Sequence, residues 1–145
     1  MSSTTIVQGV QRVLGVAFPN ATVIFGMPKR VNDDIVIYFW YDGYQDVKKT
    51  NSTIQRHHTI NIHLLINASA DDVQAELTLL TYTDVLADLF YTNHELFGAS
   101  TNVTTHQRDA AGGGSSLAYI VYDHAEYRFR RWSLDVTDNH GYAMS

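Results

Sequence analysis

IQRHHTINIHLLINA (Ile54–Ala68), followed at once by SADDVQAELTLLTYTDVLADLF (Ser69–Phe90), decides the fold. In the first segment Ile60, Ile62, Leu64 and Ile66 alternate with Thr59, Asn61 and His63, which gives a strand one apolar and one largely polar face. In the second, Ser69 is the expected cap of a helix over about Ala70–Tyr91. A capped helix directly behind a strand is a unit in which the helix covers a sheet.

The flanking segments extend that unit. Ile6, Val10, Val13, Leu14 and Ala17 form a helical stripe, and Pro19 ends it. Ala21–Met27 reads as a short strand and Asp34–Tyr44 as a longer one. Thr101–Gln107 alternates as a strand, and Leu117–Asp123 with Tyr127–Thr137 as a hairpin. The expected fold class is therefore α+β: a mixed, mostly antiparallel sheet of about six strands, covered on one face by two helices. One domain is expected over 1–145, with three polar insertions. These are a flexible, exposed β-arm at about 45–53 (QDVKKTNST), a Gly-rich loop at about 109–116 (DAAGGGSS) and a polar tail at 138–145.

Two features exceed what one such layer needs. In Asp34–Tyr44, Ile35, Ile37, Phe39 and Tyr41 share one face, yet Val36, Tyr38 and Trp40 make the other apolar as well. A neighbouring subunit, or a minor core under a loop, would cover that second face. In the long helix, Leu79, Tyr82, Leu86, Leu89 and Phe90 make the main stripe, while Val73, Leu77 and Leu80 make a second on nearly the opposite side. That second stripe meets either the N-terminal helix or another protomer. The last strand changes apolar phase between Tyr127/Phe129 and Trp132/Leu134/Val136, which predicts a bulge near Arg130-Arg131, or an overhang, aiming the arginines outward.

Composition narrows the chemistry. Zero cysteines among 145 residues exclude disulfides, thiolate zinc sites and cysteine nucleophiles. The net charge of −5 argues against a dedicated nucleic-acid binder. The N-terminal segment lacks a signal-peptide pattern, and no apolar run approaches the roughly 20 residues of a membrane span; a chain made and folded in a cytoplasm is expected. The seven histidines fit no ligand spacing, Asp71/Asp72 and Asp84/Asp88 lack a companion base or nucleophile, and Gly112–Gly114 has no following lysine. No catalytic residue, cofactor or metal is assigned.

Three pieces together carry a family resemblance: the strand HTINIHLLINAS (His58–Ser69) running into the helix DDVQAELTLLTYTDVLADLFYTNHEL (Asp71–Leu96), the variable Gly-rich link, and the closing strand YRFRRWSLDVT (Tyr127–Thr137) with its Trp-x-Leu-x-Val finish. Over most of its length the chain resembles the tail-terminator, or tail-completion, proteins of long-tailed bacteriophages. Head–tail joining proteins of the neck have comparable αβ designs. The resemblance implies a non-enzymatic virion protein at the tail–neck junction, made in the host cytoplasm. It would form a hexameric ring that caps the tail tube, offers the docking surface for a neck or head-completion protein and lets viral DNA pass without specific binding. Its partners would be itself and the major tail tube protein, with no membrane involved. The candidate assembly residues are Tyr38 and Trp40 on the second strand, Lys48 and Lys49 on the arm, Val73 and Leu77 on the long helix, and Arg128, Arg130 and Arg131 near the end. The arm is expected to order on meeting the tube. The alternatives are a head–tail joining protein, or a small ligand-binding αβ domain with the aromatic strand as its pocket.

Overall fold

The computed structural model describes residues 3–28, 33–92, 103–109, 119–122 and 125–141. Helix α1 (Ser3–Ala17) is followed by strands β1 (Thr22–Phe25), β2 (Ile35–Lys48) and β3 (Thr53–Asn67), helix α2 (Asp72–Thr92), and strands β4 (Val103–Asp109), β5 (Tyr119–Tyr122) and β6 (Ala125–Gly141). The class is α+β with a mixed sheet and two helices. Its four-stranded body runs β1-β2-β3-β6, with β1 parallel to β2 and the other two pairings antiparallel.

Among the described residues the sheet is nowhere six strands wide, which corrects the expected count. β4 pairs with β6 from Trp132 to Asp138 and β5 pairs with it from Ala125 to Arg128, so the two short strands follow one another along the same outer edge. The Gly-rich link and the stretch after Thr92 lie outside the described residues, apart from Asp109.

Alternation places the core. Ile37 and Phe39 from β2, Ile60, Ile62, Leu64 and Ile66 from β3, and Trp132, Leu134 and Val136 from β6 project to one side. There they meet Ile6, Val10, Val13 and Leu14 of α1 and Ala75, Leu79, Leu86 and Phe90 of α2. Phe18, the residue after α1, stacks on Tyr82 of α2, with ring centroids 4.8 Å apart. The far face carries a second, smaller cluster of Val36, Tyr38, Leu65 and Tyr127, all buried.

Three local readings are corrected by this geometry. The cap of α2 is Asp71, whose Oδ1 accepts the Gln74 N–H at 3.0 Å; the Ser69 hydroxyl instead accepts the Glu126 N–H at 3.1 Å. The polar stretch after Tyr44 is not an aperiodic connection, because β2 continues to Lys48 and β3 resumes at Thr53. Lys49 and Thr50 donate their N–H groups to the Thr53 carbonyl and close the turn. The region 138–141, expected as tail, still belongs to β6, paired with the start of β3.

β6 carries no bulge either. It pairs with β3 in unbroken register from Asn67↔Tyr127 to Thr53↔Gly141. The apolar phase changes because the two halves of one regular strand feed different clusters, Tyr127 the far one and Trp132, Leu134 and Val136 the helix-side one. The bulge lies in β2, where Asp42 and Gly43 together oppose Thr59 and Gly43 adopts φ +102°. Beyond it the side chains of β2 exchange faces, so that Tyr44 joins the helix-side surface above His58.

Candidate assembly interface

Two turns at the start of α2 are held by one cation. Arg128, on the helix side of β6 and only 4% exposed, reaches both carboxylate oxygens of Asp72 at 2.9 and 3.0 Å and also bonds Glu76. Its burial is tolerated because two carboxylates share its charge. The anchor fixes the roll of α2 about its axis, so that Ala75, Leu79 and Leu86 face the sheet. The opposite side is thereby turned to water: Val73 is 71% exposed, Leu77 54% and Leu80 44%. These three positions follow at i, i+4 and i+7 and form one stripe. The stripe does not rest on α1, for all three residues are exposed, and Phe18, the residue after α1, stacks on Tyr82 on the inner side of α2. Asp84 and Asp88, both exposed, continue the stripe towards the C-terminal end of the helix.

The second exposed element is the end of β2 and the turn into β3, at the edge of the sheet where β6 runs along the other side of β3. Every residue of 45–52 is exposed, as is Tyr44. Arg56 lies over the Tyr44 ring, 4.5 Å from its centroid, and pairs with Asp46 at 2.7 and 3.1 Å. At the root of this arm, the Tyr41 hydroxyl hydrogen-bonds to Nδ1 of the buried His58 at 2.7 Å. Lys48 and Lys49 stand at its tip. With Asp46 engaged by Arg56, the outermost charge is positive.

The remaining candidates divide. Tyr38 is sealed inside the protomer, its hydroxyl 3.0 Å from Nδ1 of His63, and Arg128 is buried under α2. Neither offers surface to a partner, which corrects the reading of the second-strand tyrosine and of the first arginine. Trp40 is half-buried against the His63 ring at 4.7 Å, and Arg130 is half-buried beside Trp132. Arg131 is exposed on the far face, over Phe129 at 5.3 Å. Burial, with a smaller contribution from the Arg131 charge, lowers the His63 pKa to about 4. The imidazole is therefore neutral at physiological pH. The candidates that remain on the surface are Val73, Leu77, Lys48, Lys49 and Arg131. Leu80, Tyr44, Asp84 and Asp88 join them; the bulge at Gly43, a lone glycine between Asp42 and Tyr44, is the one sequence signal that Tyr44 changes face.

Two concavities accompany these surfaces. One, of about 380 Å³, lies between Ile35, Ile66 and the first turns of α2; the other, of about 450 Å³, is polar and lies at the β2 bulge beside His57, Thr59 and Asp135. Neither is lined by Tyr38 or Trp40, although β2 contributes Ile35 to the first and Asp42, Gly43 and Tyr44 to the second. Among the described residues, no three His, Asp or Glu side chains come close enough to hold a metal ion, and no described helix is long and apolar enough to cross a membrane.

No family model matches the chain, and no curated protein matches it.

Proposed function

We propose that this chain is a structural assembly protein whose identical copies form a ring, and that the ring is the tail terminator of a long-tailed bacteriophage. The observation that carries the assembly reading is the stripe Val73–Leu77–Leu80, an aligned apolar surface on a helix whose other side is already packed. Contiguous apolar surface of this kind marks an interaction site, and head-to-tail contact between unlike patches closes into a ring where the rotation permits. The viral role is supported by the resemblance of His58–Ser69, Asp71–Leu96 and Tyr127–Thr137 to tail-completion proteins. In this reading the ring ends the tail tube, presents its upper surface to a neck protein and lets DNA pass through its hole. The chain's net charge of −5 suits passage, because cationic contacts are what retain a duplex.

Electron microscopy of the protein mixed with purified tail tubes of the virus that encodes it tests the assignment. Rings seated on one end of the tubes are expected. Rings that bind only isolated head connectors would replace the terminator role with head–tail joining. A protein that binds neither, and remains a monomer that takes up a small molecule, would overturn the assembly reading.

A further inference from the structure

Resting on the self-assembly reading, we propose that the occupant of the α2 stripe is the arm of a second copy of this chain, the exposed end of β2 and the turn after it. The two surfaces match in length. Val73 to Asp84 spans about 16 Å at about 1.5 Å per helical residue, and Tyr44 to Lys49 spans about 16 Å at about 3.3 Å per strand residue. They match in order as well. The stripe begins with Val73, Leu77 and Leu80 and ends in the exposed carboxylates Asp84 and Asp88; the arm begins with the exposed ring of Tyr44 and ends in the ammonium groups of Lys48 and Lys49. Laid along the stripe, the arm sets apolar surface on apolar surface and cation on anion.

The contact is between copies. Within one protomer Tyr44 and Leu77 are both more than half exposed, so the arm does not cover its own helix. Donor and acceptor patches also differ, which allows a head-to-tail contact, the kind that generates rings. The bulge at Gly43 has a place in this arrangement, since it turns Tyr44, and with it Asp46 and Lys48, onto the helix side of the sheet. Because the outer part of the contact is a set of exposed ion pairs, it weakens as salt rises.

The absence of cysteine makes a direct test simple. Protein carrying Lys49→Cys is mixed with protein carrying Asp84→Cys and oxidised at high concentration. The expected result is a cross-linked dimer in the mixture that greatly exceeds that from either variant alone. A chain with both substitutions should give a ladder of covalent multimers. Independently, Lys48→Glu with Lys49→Glu should weaken self-association about tenfold, as two exposed ion pairs allow, and Asp84→Lys with Asp88→Lys in the partner should restore it. Self-association without the mixed cross-link or the charge rescue overturns this inference and leaves the ring standing. A chain that neither associates nor cross-links overturns both. Removal of residues 46–50 that abolishes tube binding but spares self-association would assign the arm to the tube protein instead, and also overturns the inference.

Discussion

Arg128 and Asp72, 56 residues apart in sequence, meet through two nearly equal hydrogen bonds of 2.9 and 3.0 Å. The pair is unequal in exposure: the arginine side chain is 5% exposed, that of Asp72 53% and that of Glu76 24%. Which partner is removed therefore matters. Arg128→Met leaves two carboxylates that water can reach, and should cost about 1.5–3 kcal/mol, the worth of charged hydrogen bonds. Asp72→Ala with Glu76→Ala strands a buried guanidinium, and should cost about 3–5 kcal/mol. Urea unfolding followed by tryptophan fluorescence measures both, and the reverse order would refute the role given to this anchor.

The two sides of α2 should respond oppositely to truncation. Leu79 is fully buried against the sheet, and Leu79→Ala should cost about 2–5 kcal/mol. Leu77 stands two residues away on the exposed side, and Leu77→Ser should change protomer stability by no more than about 0.5 kcal/mol. Thermal denaturation of dilute protein reads the difference. A large loss from Leu77→Ser would mean that the stripe already has a cover within the chain.

Gly43 should be costly to replace although nothing lies within 4 Å of a Cβ added there. The penalty is conformational, because a side chain at φ +102° is strained, and Gly43→Ala should cost about 1–3 kcal/mol. If the alanine variant instead removes the bulge, Tyr44 returns to the far face and the arm loses its aromatic root. Hydrogen exchange of the β2 and β3 amides distinguishes a uniform destabilisation from such a change of register.

His63 gives the fold a pH dependence with a definite sign. Its folded pKa of about 4 lies below the ordinary 6.5, so the unfolded chain binds the extra proton first. The stabilisation is complete above pH 6.5 and is lost as pH falls towards 4. His63→Gln keeps a hydrogen-bonding group for the Tyr38 hydroxyl and removes the titration. The drop in melting temperature between pH 7 and pH 5 should therefore be smaller in the variant; an equal drop would place the acid sensitivity elsewhere.

Much of this arrangement was legible from local pattern. The period-two face of Ile60–Ile66, the stripe of Ile6–Ala17 and the double stripe of α2 each depend on residues a few positions apart, and each is found where the spacing places it. What escaped depends on distant partners. Arg128 reads as an outward cation because the carboxylates that draw it inward sit on α2. Tyr38 reads as spare surface because Leu65 and Tyr127, which share its cluster, come from two other strands. The phase break in β6 imitates a bulge because one strand serves two cores, while the actual bulge hides in the ordinary sequence Asp42-Gly43. Among the interface candidates, those on the outer side of α2 and on the arm were the ones local periodicity and polarity could reach.

The claim that identical copies cover the α2 stripe meets its most direct test in native mass spectrometry of the full chain over a range of concentrations. The account predicts one discrete, ring-compatible multiple of the 16.3 kDa chain at high concentration, shifted back towards 16.3 kDa by Leu77→Ser with Leu80→Ser. A 16.3 kDa species at every concentration, or a multimer indifferent to those two substitutions, would contradict it.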